Sequence, residues 1–239
     1  TAEYGCYLFS HAAVPLLQDF MASVDTSGAV AKVTTRNGRE FEADQVIMAV
    51  PVSQHKNHSI TYNPPLPDRV RDGVEEIRFG HGLKVFMRFS ERFYPDMMFD
   101  QSLRQLAFGD GWDSKIYYDA AFDKPSDDNV LALFNVAQDD LPLAALHDAA
   151  LLEAVLDDLT GYYGGVVRSS FEAGYVQNWS KRSFIEGSYS MDMDVDPTEV
   201  FAPVSGKIFF AGEVLGGDSQ STVHGAAFSG IDAVLAMKG

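Results

Sequence analysis

The sequence predicts a mixed α/β (α+β) fold, and three observations carry that prediction. Val46–Val50 and Lys207–Ala211 each hold a continuous apolar run, the pattern of a strand covered on both faces as in a parallel sheet. Between them, short runs alternate apolar and polar residues and are parted by Gly, Pro and Asp, as in an antiparallel sheet. Apolar residues at helical spacing recur at Leu152, Val155, Leu156 and Leu159 and again near the end of the chain.

Composition sets the bounds. The chain has 239 residues, 46% of them hydrophobic, enough for a real core in one large domain or two small ones. Its net charge of −16 repels phosphate backbones and anionic lipid, so neither nucleic acid nor a membrane surface is an expected partner. Cys6 is the only cysteine, which excludes an intrachain disulfide and a Cys-based zinc site. No apolar run approaches the ~20 residues that span a bilayer, and no basic-then-apolar leader is present. The expected location is the cytoplasm. A start at Thr1 rather than Met points to processing, trimming or a piece of a longer chain.

The elements follow in order. Residues 1–28 read as irregular apart from a short helix over Val14–Met21. Val30–Thr35 and Glu40–Ala43 flank Asn37-Gly38 and read as a hairpin in which both turn residues take positive φ. The strand Val46–Val50 closes at Pro51, and the loop beyond it holds His55 and His58, too weak a spacing to argue for a metal. Asn63-Pro64-Pro65-Leu66-Pro67 is stiff and extended, and Asp68 then caps a helix with Val70, Val74 and Ile77 on one face, ended by Gly80 and Gly82. Leu83–Phe89 alternates as a strand that sends Lys84 and Arg88 to one side. Leu103–Phe108, Lys115–Ala120 and Val130–Val136 continue the antiparallel sheet. Leu143–Leu159 is a helix stopped by Gly161, Tyr175–Trp179 a short strand, and Gly187–Ser190 a loop. The acidic run Asp192, Asp194, Asp196 lacks the glycine and distal glutamate of a calcium loop and reads as a solvated loop.

The strand–loop–helix at the end is the most informative part. Gly225, Ala226, Ala227, Gly230 and Ala233 crowd the helix Thr222–Met237 with small residues, so another backbone or a flat cofactor can come close. Its N-terminus offers free N–H groups and partial positive charge to an anionic or electron-rich atom. Tight helix-on-sheet packing explains the same residues without a ligand. His224 lies inside this helix, where packing or capping is the ordinary role.

Ile208-Phe-Phe-Ala-Gly-Glu213, Thr222-Val-His-Gly-Ala226 and Ser229-Gly230 resemble the C-terminal signature of the flavin-containing amine oxidases. Ala43-Asp44-Gln-Val-Ile47 to Pro51, Ile60–Pro67, Gly82-Leu-Lys84, Trp179 and Gly187–Ser190 resemble further family segments, in the same order. The resemblance implies a partial FAD-binding, Rossmann-like lobe (residues 1–58 and 180–239) interleaved with an antiparallel-sheet substrate lobe (59–179). It implies that Glu213 bonds the ribityl or ribose hydroxyls of FAD. Gly212, Ser221, Thr222, Val223 and Ala226 would line the cofactor, with the N–H groups near Thr222 and Val223 facing the flavin pyrimidine ring. Lys84 would hold a water against flavin N5, Tyr189 would wall the cage that orients an amine, and Trp179 would pack beside the ring. Ser188 stands where some monoamine oxidases carry the cysteine that bonds FAD, which implies non-covalent FAD. Thr222 stands where a second cage tyrosine often lies. For Lys84 and Tyr189 the plain alternatives are a solvated surface charge and a half-buried packing aromatic.

The activity so implied is oxidation of an amine C–N bond, with hydride passing from the α-carbon to flavin N5 and oxygen reduced to hydrogen peroxide. No Gly-x-Gly-x-x-Gly occurs, although the family begins with that pyrophosphate-binding turn. The resemblance therefore covers only the C-terminal portion of a member. Three readings stay open: the C-terminal part of an amine oxidase completed by an N-terminal half, a non-catalytic interaction module or homo-oligomer, and a related amino-acid oxidase or desaturase. The expected ligands are a small amine and FAD, with no metal.

Overall fold

The computed structural model describes residues 19–99, 113–137 and 141–238. Contacts gather the described residues into two units. One runs up to Arg78 and resumes at Tyr189; the other runs from Phe79 to Ser188. This division leaves residues 59–78 with the first unit and 180–188 with the second.

The first unit opens on β1 (Met21–Asp25), β2 (Ala31–Thr35) and β3 (Glu40–Ala43), an antiparallel meander. The Asn37-Gly38 hairpin forms, but of that pair only Gly38 takes positive φ (80°). The Gly38 N–H donates to the Thr35 carbonyl (3.0 Å), and the Arg39 N–H to the Thr35 hydroxyl (3.1 Å). This is the longer hairpin loop in which one left-handed glycine follows an ordinary turn. β1 falls in the stretch read as irregular, and the expected helix ended at Met21, its first residue. Residues 14–18 of that helix lie outside the described residues. Only Val24 of β1 is fully buried, so alternation is faint there; the strand is held by β2 on one side and β5 (Thr61–Asn63), parallel, on the other. β4 (Val46–Met48) and α1 (Val52–Lys56) come between. α1 replaces the expected loop, with His55 on its buried side.

α2 (Asp68–Glu76) carries Val70, Gly73 and Val74 inward. Pro67, not Asp68, sits at its cap position, and Asp68 pairs with Arg71 one turn on. The helix ends at Glu76, before the glycines, because Ile77 is already extended and opens β6 (Ile77–Phe79). A helical glycine costs about 1 kcal/mol in propensity. Gly73 is used because a Cβ there would lie 2.5 Å from Val200 Cγ2.

The second unit is an antiparallel sheet in the order β11-β7-β10-β9-β8. Its strands are β7 (His81–Phe89), β8 (Met97–Phe99), β9 (Asp113–Asp119), β10 (Asn129–Ala137) and β11 (Phe171–Asn178). The expected strand Leu103–Phe108 lies outside the described residues. Leu83, Val85, Met87, Leu131, Leu133 and Tyr117 share one face by register and are almost wholly buried against Leu151, Val155, Leu156 and Leu159. The Tyr117 hydroxyl ends inside this core and donates to Asp158 Oδ2 (2.6 Å), which ties β9 to the covering helix.

That helix is two. α3 (Pro142–Ala145) ends where Leu146 turns extended, and α4 (Asp148–Tyr163) restarts under a cap in which His147 Nδ1 accepts the Ala150 N–H (3.3 Å). Gly161 does not stop it; Gly164, at φ 69°, does. α5 (Val166–Ser170) then leads into β11, which is longer than expected and ends before Trp179.

Back in the first unit lie β12 (Ser190–Met193), α6 (Pro197–Val200), β13 (Ile208–Phe210) and α7 (Val223–Ala236). The acidic run is not a plain loop. Asp192 lies in β12, and Asp196 caps α6 by accepting the Thr198 N–H (2.8 Å). β13 pairs parallel with β4, Ile208 against Val46, as the two apolar runs predict. Ala233 of α7 packs on Phe209 and Ala211. No helix among the described residues is long and apolar enough to cross a membrane.

His55 is 8% exposed and sits against the rings of Tyr62, Phe201 and Phe210. Burial pushes its imidazole down from 6.5 to about 4. The unfolded chain therefore takes up a proton that the folded chain refuses, and stability falls as pH drops from about 6.5 to about 4. The loss from this group is on the order of 3 kcal/mol. Replacing His55 by Leu should remove that part of the acid destabilisation, read from urea unfolding at pH 7 and pH 4. An unchanged pH slope would contradict the assignment.

Candidate functional site

The site in the first unit is built where β13 gives way to α7. The chain leaves the strand through Gly212, at φ 147° and ψ 172°, a conformation essentially confined to glycine. The Gly212 N–H donates to Ser229 Oγ (2.9 Å), fastening the strand end to the helix. Two short 3-10 turns, Glu213–Leu215 and Gly217–Ser219, follow. Thr222 then caps α7. Its hydroxyl accepts the Gly225 N–H (3.0 Å) and donates to the Ser219 carbonyl (2.6 Å). Gly225 is required here, because a Cβ would lie 2.1 Å from the Ser219 oxygen. The Ala226 N–H is taken by the Thr222 carbonyl (3.1 Å), so the N–H groups of Val223 and His224 lie at the exposed tip. An exposed helix tip carries the positive end of the helix dipole.

Glu213 holds this corner together. Its Oε1 accepts the Ser190 N–H (2.9 Å), and Oε2 accepts the Ser190 hydroxyl (2.6 Å) and the Ser221 N–H (3.1 Å). Ser221 is left-handed at φ 62°, and its hydroxyl donates to the Ser190 carbonyl (2.5 Å). Gln220 Nε2 donates to Ser190 Oγ (3.0 Å) and to the Met191 carbonyl (2.9 Å). One carboxylate thus joins β12 to the approach of α7 by charge-assisted bonds, about twice as strong as neutral ones. Tyr189 precedes Ser190. Burial, then the Glu213 charge, push its phenol above the ordinary 10, so the ring keeps its proton at neutral pH.

The second unit holds Lys84, Trp179 and Ser188. Lys84 lies on the sheet face opposite the core, in register with Phe134 on β10. Its ammonium is 5.4 Å from the Phe134 ring centre and 6.0 Å from that of Tyr118. Phe86, Tyr118, Phe134 and Tyr175 share this face, half-buried or exposed. Trp179 opens a 3-10 turn, and its carbonyl accepts the Gly187 N–H (3.3 Å). Ser188 donates from its hydroxyl to the Gly80 carbonyl (2.9 Å), and from its N–H to the same oxygen (2.6 Å). Ser180 Oγ accepts the Gly82 N–H (3.2 Å), so turn, loop and strand start are one assembly.

Within the first unit, Tyr189, Gly212, Glu213, Ser221, Thr222, Val223 and Ala226 gather around the start of α7. Within the second, Lys84, Trp179 and Ser188 gather around the start of β7. Sequence reasoning passed over Ser190, Gln220, Tyr118 and Phe134. Tyr118 and Phe134 become neighbours of Lys84 only through cross-strand register, which alternation alone does not supply.

A model of the flavin containing amine oxidoreductase family matches residues 15–237. Polyamine oxidase 3 of Oryza sativa subsp. japonica is 25% identical over 204 residues, covering 84% of this chain and 40% of that protein. Lysine-specific histone demethylase 1 homolog 2 of Arabidopsis thaliana is 28% identical over 197 residues, covering 80% of this chain and 26% of that protein. Among solved structures, wild-type putrescine oxidase bound to putrescine matches with a TM-score of 0.70 and 20% identity, over 92% of this chain and 49% of that one. The chain thus spans less than half the length of these proteins.

Replacing Glu213 by Ala strands the Ser190 and Ser221 N–H groups and should cost about 2–4 kcal/mol in urea unfolding. Gln220→Ala should cost about 1 kcal/mol, its two bonds being neutral. A Glu213→Ala variant no less stable than Gln220→Ala would contradict the role given to the carboxylate.

Proposed function

The chain belongs to the flavin containing amine oxidoreductase family, and from that premise we propose that it is the C-terminal part of an enzyme that oxidises the C–N bond of a small amine with non-covalent FAD. The observation that carries this reading is the corner at the start of α7. An exposed helix tip, a glycine-lined turn and a set of fixed hydroxyls meet there.

The fit to FAD is partial and specific. The helix tip at Val223 and His224 presents N–H groups and positive dipole, and would suit the negative charge that gathers on the pyrimidine portion of a flat flavin ring when it is reduced. Gly212, with open space beside its Cα, and the small side chain of Ala226 would let such a ring approach the backbone, whereas Gly225 admits the Ser219 carbonyl instead. No pyrophosphate turn of the Gly-x-Gly-x-x-Gly type is present, so that part of the cofactor would be held by further protein. Bound flavin supplies the two-electron oxidation of the amine, with oxygen as the final acceptor.

The remaining roles belong to the chain's own residues. Glu213 and Gln220 hold Tyr189 in place through Ser190, and Tyr189 offers a protonated aromatic wall to an amine. Thr222 has its hydroxyl engaged on both sides and serves as a cap rather than as a proton carrier. Lys84 brings three N–H donors to an aromatic face, where it would hold a water for the oxygen step. Trp179 and Ser188 fix the start of its strand. On this reading the first unit is the cofactor side and the second the substrate side. Putrescine oxidase and polyamine oxidase support a small aliphatic amine as substrate, a class that needs no second aromatic wall at Thr222.

The outer face of α7 supports a requirement for more protein. Val223 is 90% exposed, and Phe228, Ile231 and Leu235 are each more than half exposed.

Co-expression with the dinucleotide-binding half of a polyamine oxidase should give a complex that keeps its flavin absorbance through desalting and oxidises small amines. In that complex Lys84→Met should retain flavin while slowing reoxidation by oxygen at least tenfold, measured by stopped flow. A complex without flavin would overturn the cofactor reading. Unchanged reoxidation would overturn the role of Lys84.

A further inference from the structure

Lys84 keeps unusual company for a lysine of this chain. Among the described residues, Lys32 and Lys115 pair with carboxylates. Lys56, Lys124, Lys181 and Lys207 donate to backbone carbonyls. The half-buried Lys84 does neither, in a sequence that holds 34 acidic side chains against 18 Lys and Arg. The partners it has are two ring faces, with the centre of Phe134 at 5.4 Å from its ammonium and that of Tyr118 at 6.0 Å.

Register explains the arrangement. Phe134 stands directly opposite Lys84 on β10, and Tyr118 lies one strand further on β9, opposite Ala132. Ala132 carries only a methyl, which leaves room for a long side chain to lean across β10 toward Tyr118. A carboxylate in place of either ring would also restrain the ammonium, but it would cancel the charge and take up N–H donors. A ring face attracts a cation through its quadrupole and carries no net charge. Lys84 therefore keeps its full positive charge, with donors to spare on the side away from the rings.

We propose that Phe134 and Tyr118 are positioning residues for Lys84, holding its ammonium by their ring faces so that an uncancelled charge serves the oxygen step, a role that rests on the reading of Lys84 above. In that step oxygen takes two electrons and two protons from reduced flavin and leaves as hydrogen peroxide. Negative charge gathers on oxygen before the protons arrive, and a fixed cation stabilises it.

The first readout needs no flavin. In the whole chain with ¹³C-labelled lysine, ring currents should move the Lys84 ε-methylene signal upfield of the other lysines, and Phe134→Leu should return it toward them. The second uses the flavin complex with the dinucleotide-binding half of a polyamine oxidase. There Phe134→Leu should slow reoxidation by oxygen about fivefold while changing reduction by the amine less than about twofold. Phe134→Tyr, which keeps the ring face, should restore the rate. Tyr118→Leu, which removes the more distant ring, should act in the same direction to a smaller degree, and it decides should Phe134→Leu not fold. A Lys84 signal with no upfield shift overturns the proposal whatever the complex does. Slowed reduction with normal reoxidation overturns it too, by making Phe134 a substrate contact. Reoxidation untouched by Phe134→Leu yet slowed by Lys84→Met overturns the positioning role and leaves the reading of Lys84 standing. Reoxidation untouched by Lys84→Met as well removes that reading, and the proposal with it.

Discussion

The Glu213 carboxylate is the interaction on which the corner of the first unit depends. Three donors converge on it from two segments far apart in sequence, Ser190 and Ser221. Without that charge Ser221 would have little to offset a left-handed backbone, which costs about 1–3 kcal/mol in a residue other than glycine. The consequence is local order where order is needed. The loop that carries Tyr189 is fixed at its end, and α7 begins at a defined point with Thr222 as cap. Because both carboxylate oxygens are engaged within the protein, Glu213 acts first as a positioning group. A cofactor hydroxyl would use only its remaining lone-pair capacity.

The second unit solves a different problem with one sheet. Alternation sends Leu83, Val85 and Met87 into the core under α4, and by the same period it sends Lys84 and Phe86 to the other face. The charge of Lys84 stays out of the core and lies beside Phe134 and Tyr118, where a cation is attracted by the ring faces. Packing and chemistry are separated by the pleat alone, which lets one face be optimised for stability and the other for a ligand.

Much of this was legible in the residues. The two apolar runs foretold the parallel pair of β4 and β13, the alternating middle foretold the antiparallel sheet, and the small residues of α7 marked the close approach at Gly225. What was not legible had physical causes. β1 has one fully buried residue and owes its state to neighbours on both sides. The break between α3 and α4 depends on a histidine cap, an unusual choice at that position. His55 read as a loop residue because nothing local announces that three aromatic rings, two of them from distant segments, will enclose it. The Glu213 network joins residues more than twenty apart, and no local pattern encodes such a pairing.

Native-state hydrogen exchange at the Ser190 and Ser221 amides tests the central claim most directly. If one carboxylate binds both, the two amides should be strongly protected in the unaltered chain and should lose protection together in Glu213→Ala, while the core amides of β7 stay protected. Fast exchange at either amide in the unaltered chain, or protection that survives loss of the carboxylate, would contradict the account.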